Sequence, residues 1–239
     1  MPQSIAFALS ATVLTTQFDG PQLTSDGGLC WLAEADTALG LCGALANQIP
    51  DWRRGPVRHS LELLVRQRIM QIACGYEDQD DADTLRRDPL LKLVCGRLPG
   101  EADLASQPTL SRLENAVTAR ACYRLAVAMG QIYLQERARE GVPTQLVLDL
   151  DGTDDPAHGQ QEGVVYHGYY RQYMDHPLLV FDGTTGQLIT AVLRPGTCHA
   201  SRGAVAVLRR LVRAIRARWP AVRIEVRADA GFAIPALYA

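Results

Sequence analysis

The chain has 239 residues, 47% hydrophobic and 21% charged, with a formal net charge of −2. That length supports a substantial core in one or two domains, and no apolar run reaches the ~18–20 residues of a membrane span. The first residues, MPQSIAFALSATVL, lack the basic start of a signal peptide, and six cysteines show neither CxxC nor Cys/His ligand spacing, so a cytoplasmic protein with reduced thiols is expected.

Up to residue 57, short apolar pieces are broken by glycine and proline, and Leu29–Leu39 reads as a short helix. Ser60 is placed to cap a clearer helix. Leu61, Leu64, Val65, Ile69 and Ile72 follow helical spacing, and Gly75 supplies the stop. Six acids against two arginines give 76–88 a local charge of −4. Residues 84–93 are expected to be helical but cut by Pro89, and 96–108 are loop-like. A single long helix is predicted from Thr109 to Glu140, closed by Gly141 and Pro143. Residues 1–142 therefore read as an α-rich N-terminal region for DNA binding or dimerisation, with Arg53, Arg54, Arg58, Arg66 and Arg68 as its cationic contacts.

The periodicity changes after Pro143. Residues 145–150 form a β-rich run, 164–173 are aromatic and strand-like, and 178–181 are apolar. The turn at 182–186 then predicts an antiparallel hairpin into 187–193. Residues 202–219 alternate as a helix. Val205, Leu208, Val212, Ile215 and Trp219 are expected to face inward, and Arg209, Arg213 and Arg216 outward. Pro220 ends it, and 222–226 is the next strand. From Arg194 to Arg227, nine arginines face one acid, Glu225, a local +8 that the global average hides. Three strands, a helix and a returning strand are the opening half of a ribonuclease-H-like fold. The expected class is thus α+β or α/β, with an incomplete catalytic domain over 143–239.

In that topology the ends of the first and fourth strands lie adjacent, which sets Asp151 (in LVLDLDGT) beside Asp229 (in VRIEVRAD). Two such carboxylates repel each other until a cation binds. They suit Mg2+ or Mn2+, which take oxygen ligands and serve phosphodiester chemistry by neutralising the attacking and leaving oxygens. Asp149 shares a strand face with Asp151 and stays open as a partner or substitute. Asp154 and Asp155 read as turn residues. His199, in GTCHASRG, reads as a loop or capping residue more than a phosphate or metal contact, and the polar segment HGQQEG at 158–163 lines the site or is a solvated loop. The arginine face, Arg202, Arg209, Arg213 and Arg216, is placed to meet a DNA backbone.

The stretches RHSLELLVRQRIMQIACGYEDQDDADTLRRDPLLKL (58–93), ASQPTLSRLEN (105–115), LDLDGTDDPAHGQQEG (148–163), LRPGTCHASRGAVAVLRRLVRAI (193–215) and VRADAGFA (226–233) resemble bacterial insertion-sequence transposases of the DDE type, group 1. The resemblance implies metal-dependent cleavage and strand transfer at terminal inverted repeats. It also implies a homo-oligomeric complex with those repeats and target DNA, no membrane, and Asp151 and Asp229 as the first two catalytic carboxylates. It places the third, a glutamate, farther downstream than Ala239, so this chain is expected to be an N-terminal portion, inactive by itself. One alternative is a non-catalytic, DNA-binding transposon remnant. A weaker one is a haloacid-dehalogenase-type phosphatase, which LVLDLDGT also resembles. That reading makes Asp149 the nucleophile and Asp151 the general acid, and it needs a downstream lysine; the sole lysine, Lys92, lies upstream.

Overall fold

The computed structural model describes residues 4–9, 12–17, 23–157 and 164–238. They fall into two compact units, residues 1–35 with 56–113 and residues 36–55 with 114–239.

The first unit opens on the antiparallel pair β1 (Ser4–Leu9) and β2 (Thr12–Gln17). The helix α1 (Leu29–Leu39) begins in this unit and runs into the second, where α2 (Leu41–Ala46) follows. Next in the first unit is α3 (Leu61–Ala73). The Ser60 side chain accepts the Leu63 amide, as its position predicts, and the chain turns away at Gly75 with φ 89°. The expected break at Pro89 divides α4 (Ala82–Leu85) from α5 (Pro89–Val94). Pro89 occupies the first turn of α5, where its missing N–H costs nothing, and Asp88 caps it. Leu29, Met70, Leu91, Cys95 and Leu104 form the core of this unit. Its long loop is stitched down by buried polar groups: Gln67 exchanges two 2.9 Å hydrogen bonds with the backbone of Ala105, and Lys92 donates to the carbonyls of Pro99 and Glu101.

The single helix expected over 109–140 is two helices. α6 (Gln107–Asn115) stops, and α7 (Ala119–Arg139) starts afresh with Thr118 accepting the Ala121 amide. A capping threonine preceded by β-branched Val117 favours a new start over continuation.

In the second unit β3 (Gln145–Gly152) is central. The three-stranded sheet of β4 (Asp155–Pro156), β5 (Val165–His167) and β6 (Gln172–Asp175) leaves its end, in the order β4-β6-β5. The aromatic run at 164–173 is therefore a hairpin bent at 168–171, not one strand. β7 (Leu178–Asp182) and β8 (Leu188–Val192) form the predicted antiparallel hairpin. α8 (Ala204–Arg218) and β9 (Arg223–Ala228) follow, then a 3-10 turn (Ala230–Phe232) and the short α9 (Pro235–Tyr238). The main sheet runs β8-β7-β3-β9, with β9 parallel to β3 and the other pairs antiparallel. Helices with mixed sheets make this an α+β protein, consistent with a ribonuclease-H-like domain.

Leu146, Leu148 and Leu150 of β3 pack with Tyr133 and Leu134 of α7 and with Leu208, Leu211 and Ile215 of α8. Ala204 and Leu211 are fully or nearly buried on α8, whereas Val205 and Val212 are only half-buried, so the buried stripe is rotated slightly from the expected one. A second tie is polar. The Tyr133 hydroxyl donates to Asp182 at 2.7 Å, and the Thr184 amide donates to the same carboxylate at 2.9 Å.

Candidate active site

Strand alternation decides what reaches the site. Leu146, Leu148 and Leu150 enter the core, so Asp149 and Asp151 point to the opposite face of β3. β9 lies alongside in parallel register, Leu146 against Ile224 and Leu150 against Ala228. Ile224 packs on the core. The alternating positions 223, 225, 227 and 229 therefore share the face of Asp149 and Asp151. Continuing the register by one residue sets Asp151 across from Asp229, on strands ~4.8 Å apart.

The acids on this face differ in what holds them. Asp149 is gripped by Arg227, with Nε to Oδ1 at 2.6 Å and a second guanidinium N–H on Oδ2. The same contact holds the Arg227 guanidinium above its ordinary pKa. Asp151 is exposed, and its carboxylate has no hydrogen-bond or ion-pair partner among the described residues. Asp229 accepts the Gly231 amide on one oxygen at 2.9 Å, capping the 3-10 turn.

Two exposed carboxylates at adjacent strand ends, one unpartnered and one with an oxygen to spare, are a hard-oxygen donor set of the kind Mg2+ accepts while keeping its waters. Among the described residues no three His, Cys, Asp or Glu side chains gather into a fuller cluster.

Beneath the site lies a layer that the sequence did not reveal. A Cβ on Gly152 would stand 2.9 Å from His176 Nε2. His176 is buried, with Nδ1 2.9 Å from the Cys198 carbonyl, so Nδ1 carries the proton. Arg194 is 6% exposed and donates to the carbonyls of His176 at 2.8 Å, Ala200 at 2.7 Å and Arg202 at 3.0 Å. Burial lowers its pKa, and carbonyl dipoles stand where a carboxylate would be expected. In the sequence Arg194 reads as one more surface cation; only the return of 194–202 over the start of β7 explains its burial. Ala200 of this loop also lies against Gly231, 3.1 Å from where its Cβ would be, beside Asp229.

The remaining candidates scatter. His199 is exposed, and its Nδ1 is 2.8 Å from the Ser201 hydroxyl, the local role its loop position suggests. Asp154 accepts from Gln172 at 3.2 Å, and Asp155 pairs across from Asp175 in the small sheet. Arg209 and Arg213 are exposed on the outer side of α8, whereas Arg216 donates to the carbonyls of Pro220 and Val222, and Arg202 lies 3.6 Å from Cys198 Sγ. In the N-terminal set, Arg53 is paired with Asp51 at 2.8 Å, and Arg54 and Arg58 are exposed; Arg53 and Arg54 belong to the second unit and Arg58 to the first. The segment at 158–163 lies outside the described residues. Nothing favours the phosphatase reading: Asp149 is engaged by Arg227, and Lys92 is occupied by loop carbonyls in the first unit. No helix among the described residues is long and apolar enough to cross a membrane.

A family profile described as Transposase DDE domain group 1 matches residues 8–239. Searches of curated proteins and of solved structures return no match.

Proposed function

Because the chain belongs to the Transposase DDE domain group 1 family, we propose that its second unit carries the first two carboxylates of a metal-dependent DNA strand-transfer centre, Asp151 and Asp229. The observation that carries this reading is their position at neighbouring ends of parallel β3 and β9, on one sheet face. Mg2+ or Mn2+ held there would neutralise charge on the attacking and leaving oxygens of a phosphodiester.

The residues of the chain divide the remaining work. Asp151 offers both oxygens, and Asp229 the one that the Gly231 amide does not take. Arg227 neutralises Asp149 and so keeps a third negative charge from adding to the repulsion at the site. Arg209 and Arg213, helped by Arg202, Arg216, Arg53, Arg54 and Arg58, meet backbone phosphates. Such contacts fix the register of a duplex without reading its sequence. The DNA partners are the terminal inverted repeats of an insertion sequence and its target, bound by a homo-oligomer of the protein.

The deciding experiment is paired. Mn2+ binding is followed by electron paramagnetic resonance on the wild type and on Asp151→Asn and Asp229→Asn, and duplex binding by fluorescence anisotropy on the same proteins. The expected result is loss of the bound Mn2+ signal in both variants with duplex affinity kept. Mn2+ binding unchanged in both would overturn the assignment. Metal-independent duplex binding with no Mn2+ bound by the wild type would favour the non-catalytic, DNA-binding reading.

A further inference from the structure

The hairpin that leaves the end of β3 carries a surface that folding alone does not call for. Tyr166, Tyr169, Tyr170 and Tyr173 are 51%, 84%, 41% and 60% exposed. Large aromatic rings left in water together mark a binding surface. Tyr166 and Tyr173 are opposite one another in the β5–β6 register and meet edge to face, centroids 5.5 Å apart. Tyr169 and Tyr170 do the same at the tip, at 5.1 Å. Between them Arg171 sits at φ 55°, the one non-glycine residue with positive φ among the described residues. A left-handed arginine costs on the order of 1–2 kcal/mol over a glycine, so the turn is less stable than the simplest residue would make it. From Val164 to Met174 the chain holds Arg171 and no acid.

The patch is on the hairpin that follows the strand carrying Asp151, and its rings connect to the layer beneath the site. Tyr170 packs on His167 at 5.0 Å, His167 lies 6.3 Å from the buried His176, and His176 Nε2 stands 2.9 Å from where a Cβ on Gly152 would be. A chain of rings thus runs from solvent to the underside of Gly152, on the sheet face opposite the Asp151 carboxylate. Tyr173 is two residues from Asp175, which pairs with Asp155 at the hairpin's foot, so the rings stand only ~7–13 Å from it.

We infer that this hairpin is a stacking platform for unpaired nucleobases of the DNA strand whose phosphate reaches the carboxylates, with Arg171 on the neighbouring phosphate. The inference rests on the reading of Asp151 and Asp229 given above. Edge-to-face pairs leave ring faces open, and a base, which always has a π-face, adds to them without sequence preference. The tyrosine-rich strip carries Arg171 at its tip, and the acids of its sheet, Asp154, Asp155 and Asp175, lie toward its foot, so the ring-bearing end suits nucleic acid better than the aliphatic face of a protein partner. Stacking offsets the loss of base pairing when the strand is drawn out of the duplex toward the metal ligands.

The test compares the affinity of the full chain for a blunt duplex and for the same duplex with four unpaired nucleotides at one end. Both are read by anisotropy, with 2-aminopurine in the unpaired stretch. The wild type should prefer the frayed duplex by ~10-fold, the scale of one base stacked on one ring, and quench 2-aminopurine. Tyr169→Ala with Tyr173→Ala should abolish both effects and leave blunt-duplex affinity unchanged. The matching phenylalanine variants should retain them. Arg171→Gly should raise the melting temperature while weakening frayed-end binding. Equal wild-type affinity for the two DNAs, or a preference that survives in the alanine variants, overturns the platform and leaves the metal site standing. Absence of binding to either DNA overturns both. A shift in sedimentation of the alanine variants without DNA, with no change in frayed-end preference, would assign the patch to contact between copies and overturn it as well.

Discussion

Asp149 and Asp151 stand two residues apart on one face of β3, yet one is locked to Arg227 and the other is open. Period-two alternation makes their shared face readable from sequence alone. The lock is not readable, because it depends on the register of a strand 78 residues away. Substituting Arg227 by Met should release Asp149 and enlarge the uncompensated negative charge, so Mn2+ titration of this variant should give tighter binding than the wild type; unchanged affinity would mean Asp149 is indifferent to the site. Gly152 is a second case. Its need for no side chain is set by His176 Nε2, a residue that gave no motif signal. Gly152→Ala must push the imidazole off the Cys198 carbonyl. The cost should be ~1–3 kcal/mol, as for overpacking elsewhere in cores, visible in urea unfolding with an unchanged slope.

Elements show which sequence signals are local. The Ser60 cap, the stop at Gly75 and the break at Pro89 are legible because each acts on its own helix. The division of α6 from α7 is not, because the apolar stripe continues through it. The pairing of α7 with the β7–β8 turn is hidden because Tyr133 and Asp182 are 49 residues apart. Tyr133→Phe leaves a buried carboxylate short of a donor, a loss of ~1.5–3 kcal/mol for a hydrogen bond to a charged group, measurable by chemical denaturation. Burial by itself raises the Asp182 carboxyl. The hydrogen bonds from Tyr133 and Thr184 outweigh it and hold the group below its ordinary range, while burial and then the Asp182 contact push the Tyr133 hydroxyl up. A depressed carboxyl stabilises the fold fully above its unfolded value, ~3.9, and that contribution disappears as pH falls through the lower folded value. Acid unfolding of Asp182→Asn should accordingly be shallower over this window than that of the wild type. Asp175 behaves in the opposite sense: burial first, then Asp155 across the ladder, raises it. Its stabilising contribution is present at low pH and lost as pH rises through the raised value. Asp175→Asn should therefore raise the melting temperature at pH 7 and lose that advantage near pH 4.

At the scale of the molecule, a net charge of −2 conceals a +8 stretch, and the structure sorts that stretch by exposure. Arg194 is buried and Arg216 is tied to carbonyls, whereas Arg209 and Arg213 face solvent. Replacing both Arg209 and Arg213 by alanine should weaken duplex binding and reduce the slope of log affinity against log salt by roughly two, near 0.9 for each phosphate left without its cation. A slope equal to that of the wild type would remove α8 from the DNA interface. The order of strands, with β9 beside β3, is legible as a pattern of segments; the small sheet at the end of β3 is not, because its strands are too short to show periodicity. That order also sets a timetable for biosynthesis. β7 and β8 are near neighbours along the chain and can close as a hairpin within microseconds. The partner on the other edge of β3 is synthesised about seventy residues later, so at ~5–20 residues per second the central strand leaves the ribosome seconds before β9 exists. For that interval β3 presents a bare hydrogen-bonding edge with three leucines behind it, and the nascent protein must be shielded there or find the same edge on another copy.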